Sequence, residues 1–294
     1  MRYAHSSLVA SAVARATAKA APLRRAALRR LALAATLLLP ALAATASPPA
    51  DLYHCRAFVT GQGEAERARG FGLCLEAVLV KVSGDPHLRG DPRLAPMKQV
   101  AAGFVAGFTY HDRMSGLPLH DEQGTRDRPF DLTVAFDPPK IDAALLKLGV
   151  APWPPPRPVL AIFLGVRDAQ RAYVLTEDGE RGLGERLSLR DAAAQRGIPL
   201  VLPKAPLAAE EHLTYAGLAA ASVSRRRALA GTIGGGAALA GSLAWSEAAR
   251  GWTARWRLAW QGRDYHWRIS GVSFDDAFRD ALDRAAAILS GHGA

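Results

Sequence analysis

The densest run of residues able to do chemistry is HDRMSGLPLHDEQGTRDRPFD, residues 111–131, which gathers His111, Asp112, His120, Asp121, Glu122, Asp127 and Asp131. Imidazole and carboxylate are the donors that zinc or manganese selects, and His120 and Glu122 would face one way in an extended stretch. His111, His120 and Glu122 are the candidate metal ligands. No H-E-x-x-H pattern occurs, however, and Arg113, Arg126 and Arg128 stand among the acids. A hairpin-like loop with surface ion pairs accounts for the same residues, each pair contributing under about 1 kcal/mol. A long ordered loop between two strands also suits contact with a partner.

Nothing resembles a nucleophile elbow of the G-x-S-x-G kind. Ser83 and Gly84 in VSGD close a helix, and Asp85-Pro86 open a turn. Glu177, Asp178 and Glu180 share one turn instead of converging from separate elements, so they do not make a glycosidase pair. No catalytic residue follows. The glycines of ALAGTIGGGAALAGSLAW, residues 228–245, have the spacing of a phosphate loop, but Ala237-Ala238 stand where Lys and Ser or Thr would be needed. They read as a joint between a helix and a strand, and neither nucleotide nor other cofactor is expected.

From Trp252 to Trp260 the even positions are Trp, Ala, Trp, Leu and Trp, with Thr253, Arg255 and Arg257 between them. That is the alternation of a half-buried strand. After a turn at residues 261–264, Tyr265, Trp267 and Ile269 alternate with His266 and Arg268. Aromatic and basic residues mix as in nucleic-acid or glycan platforms. The periodicity separates them, however: tryptophans inward, arginines outward. Arg255, Arg257 and Arg268 are the candidate partner-binding residues, facing an acidic protein or an anionic membrane surface.

These residues need a scaffold. A strand over residues 53–60 and a helix from Glu64 to about Val82 come first, the helix burying Phe71, Cys74, Leu75, Val78 and Leu79 at steps of three and four. A second helix runs from Asp91-Pro92 to about Phe108. Strands near residues 108–114 and 130–136 precede a helix capped by Asp137, with Ile141, Leu145 and Leu148 inside. APWPPPRP, residues 151–158, has five prolines and suits a semi-rigid linker. Beyond it VLAIFLGV, residues 159–166, is apolar throughout, as in a strand buried on both faces, and residues 172–176 pair with it. A short helix from Ser188 to Gln195, a strand around 198–202 and one longer helix over 210–229 lead to the tryptophan strands. A closing helix capped by Ser273 carries an apolar stripe from Phe274 to Leu289. The fold class is α+β, as two mixed α/β modules over residues 51–150 and 159–291. Their orders are β-α-α-β-β-α, then β-β-α-β-α-β-β-β-α.

The formal charge of +10 is concentrated at one end. Residues 1–46 hold seven of the 37 basic side chains and no acidic one, which leaves 30 basic against 27 acidic in the remainder. Arg29-Arg30, the apolar run LALAATLLL and the small residues to Ala46 read as a signal peptide over residues 1–46, cleaved after Ala46. Pro40 and the short apolar length argue against a membrane span, although an uncleaved inner-membrane anchor is the alternative. Export to the periplasm excludes nucleic acid as a partner. It also exposes Cys55 and Cys74, the only cysteines, to an oxidising compartment, where a disulfide is expected, two buried thiols being the other outcome.

LEAVLVKVSGDPHL (75–88), FDLTVAFDPPKIDAALLKLGVAPW (130–153), RPVLAIFLGV and RGIPLVLP together resemble an exported proteobacterial family known as domain of unknown function 2066. The resemblance implies an envelope location and a two-part α+β build, but no reaction. The second half is also similar in element order to modules of TolB-type and curli-secretion-type envelope proteins. The expected function is a non-enzymatic, envelope-associated binding or assembly factor for an envelope protein or an anionic membrane surface. The alternative is a metal-dependent hydrolase with its site in residues 111–131.

Overall fold

The computed structural model describes residues 52–116, 120–121, 124–125 and 128–293. Residues 1–46, expected to be a signal peptide, lie outside the described residues, as do Glu122 and the His120 side chain. The first sheet has the order β1 (His54–Val59), β5 (Phe130–Phe136), β2 (Val105–Asp112), antiparallel throughout. Two-residue strands β3 (His120–Asp121) and β4 (Gly124–Thr125) pair with each other in the long loop.

Helix α1 (Glu64–Ser83) packs on one face of this sheet. Its Leu75, Val78 and Leu79 bury against Val59, Leu132 and Val134. The second helix is shorter than its sequence suggests: α2 covers Leu94–Gln99, a 3-10 turn covers Ala101–Phe104, and the chain is already extended at Val105. Val100 and Gly103 interrupt the helical run, both being poor helix formers. Helix α3 (Pro138–Lys147) starts where Asp137 accepts a hydrogen bond from the Lys140 amide, and it buries Ile141 and Leu145 in the same core.

Cys55 on β1 and Cys74 on α1 form a disulfide, with Cα atoms 5.4 Å apart. Closing a loop over this separation stabilises the fold by about 3 kcal/mol in the chain-entropy account. The double variant Cys55→Ser, Cys74→Ser should lose about that much in urea unfolding, whereas unchanged stability would show that the bridge restrains little.

The second sheet runs β11 (Arg263–Val272), β10 (Gly251–Trp260), β9 (Ala237–Ser246), β6 (Leu160–Arg167), β7 (Ala172–Val174), with β8 (Leu200–Val201) also beside β6. Strand β6 is parallel to β8 and β9, and the remaining pairs are antiparallel. Helices α4 (Leu183–Arg196) and α8 (Phe274–Ser290) cover one face. There Leu189, Phe278 and Leu282 pack with Ile162, Leu164, Leu239 and Trp256. On the opposite face Leu218 and Leu229 cover Ala161, Phe163 and Ala238. Strand β6 is therefore buried on both sides, which is why its sequence shows no alternation.

Where one long helix is expected over residues 210–229, three short ones form: α5 (Ala205–Glu210), α6 (Tyr215–Ala220) and α7 (Val223–Thr232). His212 adopts a positive φ of 48°, and the side chains of Thr214 and Ser222 accept from the Gly217 and Arg225 amides to start α6 and α7. Thr and Ser are favoured as caps over helix interiors, so two of them inside an apolar pattern divide it. Helix α4, in turn, begins at Leu183, before Ser188.

Candidate functional site

The glycine run 234–236 connects α7 to β9. Gly234 has φ +77°, and a Cβ on Gly235 would lie 2.5 Å from the Ala161 Cβ. The Gly236 amide donates to the Val159 carbonyl at 2.8 Å. Only glycine lets the chain come this close to β6 and enter the sheet parallel to it.

That parallel entry brings residues from four strands onto one face. Register aligns Arg268 on β11, Arg255 on β10, Ser242 on β9 and Gly165 on β6 in a single row. The row on one side is His266, Arg257, Ala240 and Phe163; the row on the other is Ser270, Thr253, Ala244 and Arg167. Neighbouring strands stand about 5 Å apart, and same-face residues along a strand about 7 Å apart. Gly165 has no side chain, and α6 uses the space: a Cβ there would meet the Tyr215 Cα at 2.9 Å. The backbone of α6 thus settles onto β6, and Tyr215 stands as a wall beside the row.

The outcome is a groove of about 630 Å³. Its floor is the small residues of β9, one wall is Tyr215, Leu218 and Ala219, and the other is the arginines of β10 and β11. The Arg167 guanidinium lies over the Tyr215 ring, 4.8 Å from its centroid. Arg167, Arg255, Arg257, His266 and Arg268 are exposed, and among the described residues no carboxylate lines the groove. Asp264, on the same face, is engaged by the buried Arg226 of α7, which donates to both carboxylate oxygens at 2.8 Å. Among the described residues the groove arginines have no acidic partner.

The structure places Arg255, Arg257 and Arg268 together here, and sets the tryptophans behind them. Trp256 is 1% exposed, with its ring 6.2 Å from that of Phe278, and Trp252, Trp260 and Trp267 pack on the same core. Arg167, Tyr215, Ser242 and His266 complete the groove and are not singled out by sequence reasoning. Only the strand register reveals them.

The polar loop has no comparable convergence. His111 stands opposite Asp131 on the outer face of the first sheet. Asp112 pairs with Arg128 at 2.9 Å, and Arg113 lies over the Phe58 ring, 5.5 Å from its centroid. No group of three or more His, Cys, Asp or Glu residues suited to a metal occurs among the described residues.

Residues 46–154, a little over a third of the chain, match the model of a family described as "Domain of unknown function (DUF8605)". This supports an uncharacterised domain over the first module, and it does not carry the name of the family that the sequence resembles. No curated protein and no solved structure matches the chain.

Proposed function

We propose that this is an exported, non-enzymatic binding protein of the cell envelope, which holds an anionic membrane surface against the arginine-bearing face of its second sheet. The observation carrying the reading is that face: four exposed arginines and a histidine around one groove, with no carboxylate among its lining. Export is supported by the composition of residues 1–46 and by the disulfide, and an envelope location is what the resemblance to domain of unknown function 2066 implies.

A membrane surface is favoured over an acidic protein by the chemistry of the face. Protein interfaces are centred on desolvated aromatic and aliphatic anchors and deplete charge at the core. Here the centre of the face is arginine, serine and alanine. Among the described residues the large exposed apolar side chains, such as Phe58, Phe108 and Leu183, lie elsewhere, and only Trp245 approaches the rim.

The test compares the full chain with an Arg255→Gln, Arg257→Gln, Arg268→Gln variant, so that the basic leader is common to both. Each arginine near an anionic surface is worth about 1 kcal/mol. The triple variant should therefore bind vesicles containing phosphatidylglycerol roughly 100-fold more weakly, with little change on phosphatidylcholine alone. Equal binding of both proteins to the anionic vesicles would sink the reading.

A further inference from the structure

We propose that the groove seats a phosphomonoester, presented either by a lipid headgroup or by a small soluble molecule. The inference rests on the anionic-surface reading for its location and goes beyond it in naming one bound group at one place.

Arg255 and Arg268 are directly opposed across β10 and β11. Like charges in that position destabilise a sheet, and no carboxylate of the groove relieves them. The next residue in the row is Ser242, 7% exposed on the groove floor. Its hydroxyl has no hydrogen-bond partner among the described residues. The hydroxyl belongs to the groove lining, where it can donate to an acceptor seated there. On the far side stand Tyr215 and Arg167, the guanidinium of the latter set over the ring.

The donors thus approach from three directions: two guanidinium groups from one wall, a hydroxyl from the floor, and Arg167 with Tyr215 from the other wall. A planar carboxylate presents its lone pairs in one plane and satisfies one guanidinium fork well. A terminal phosphate is tetrahedral, offers three acceptor oxygens and carries close to two charges at neutral pH. It matches both the geometry and the excess charge. A phosphodiester has one charge and two free oxygens, so the site distinguishes the two.

Two measurements on the full chain test this. One is calorimetric titration with glycerol 3-phosphate. The other is cosedimentation with phosphatidylcholine vesicles containing phosphatidic acid or, at matched surface charge, phosphatidylglycerol. The expected result is about tenfold tighter binding to the phosphatidic acid vesicles, the value of one charge-assisted hydrogen bond. The preference should be lost in Ser242→Ala and Arg255→Gln. Ser242→Ala places alanine in line with Ala240 and Ala244, and unchanged circular dichroism would show that it folds. Titration by glycerol 3-phosphate that displaces the vesicles supports a soluble source, and a vesicle preference without it supports a lipid source. Equal binding to both vesicles with no titration, or a preference that survives both substitutions, overturns the phosphomonoester seat and leaves the anionic-surface reading standing. Binding to neither vesicle overturns that reading, and overturns the seat as well unless glycerol 3-phosphate still binds.

Discussion

Replacing Arg157 by alanine should destabilise the chain by about 5 kcal/mol and lower the midpoint of thermal unfolding by more than about 10 °C. Arg157 lies in the proline-rich stretch, yet it is only 8% exposed. Its Nη1 donates to the carbonyls of Arg196 and Gly197 at 2.9 and 3.1 Å, and its Nη2 to those of Lys81, Val82 and Trp153 at 2.9 to 3.1 Å. Lys81 and Val82 belong to the last turn of α1, while Arg196 and Gly197 end α4. A single cation therefore satisfies carbonyls that both helices leave open at their C-termini, where the dipoles also favour positive charge. The Trp153 ring covers it from 4.2 Å.

Burial pulls the Arg157 guanidinium down to about 10, so it remains charged at neutral pH. The Val82 carbonyl keeps a bond from the Trp153 amide at 2.8 Å, but the alanine variant leaves the carbonyls of Lys81, Trp153, Arg196 and Gly197 without a donor, each costing about 1–3 kcal/mol before water enters. Arg157→Lys keeps the charge but offers three donors from one point, and should recover under half of the loss. Urea unfolding measures both. A loss below about 1 kcal/mol for alanine, within the range of ordinary surface substitutions, would show that the two helix ends do not depend on this residue.

The burial of Arg157 illustrates what the sequence leaves hidden. APWPPPRP has the composition of a spacer, and one arginine among prolines looks solvent-exposed. Its place follows from two helix ends, one far before it and one well after it, arriving at the same point. Local patterning, in contrast, is plain where one face is wet and the other dry. The alternation in Trp252–Trp260 and the stripe on the closing helix identify β10 and α8 because each strand or helix needs only its own period to sort its residues. Even there the turn is tighter than the sequence suggests. Gln261 and Gly262 both take positive φ, 46° and 79°, as two-residue hairpin turns require, so Asp264 is within β11 and available to Arg226.

The groove was half legible for the same reason. Arg255, Arg257 and Arg268 share a face by simple alternation within a hairpin. Ser242, Gly165 and Arg167 join them only through the β6–β9 pairing, which spans some seventy residues and is parallel. Tyr215 falls inside what reads as the middle of one long helix. It becomes a groove wall because Thr214 restarts the helix and Gly165 lets it descend onto the sheet.

The other large effect concerns acid. Asp283 on α8 accepts two bonds from Arg89, at 2.9 and 3.1 Å, and a further one from Arg196 Nε. It ties the turn after the first core's long helix to the two helices of the second core. Burial pushes the Asp283 carboxyl up, but hydrogen bonds from Arg89 and Arg196 and their charges outweigh it and hold the group below the usual carboxylate range. Its folded pKa is depressed, so its contribution is present above the unfolded value, about 3.9, and is lost as pH falls through the folded one. Asp283→Asn keeps the shape and removes the charge, leaving Arg196, whose side chain is 10% exposed, without a counter-ion. Breaking a pair of this kind costs about 4 kcal/mol. The difference between wild type and Asp283→Asn should therefore be about 4 kcal/mol at neutral pH and shrink steadily below about pH 4. Other carboxylates, such as Glu76 beside Lys98, also lose their charge in acid, but they do so equally in both proteins. Unfolding by urea across that range isolates Asp283. A difference that stays constant down to the acid limit would mean that the asparagine is disfavoured by its packing and that the carboxylate charge adds nothing.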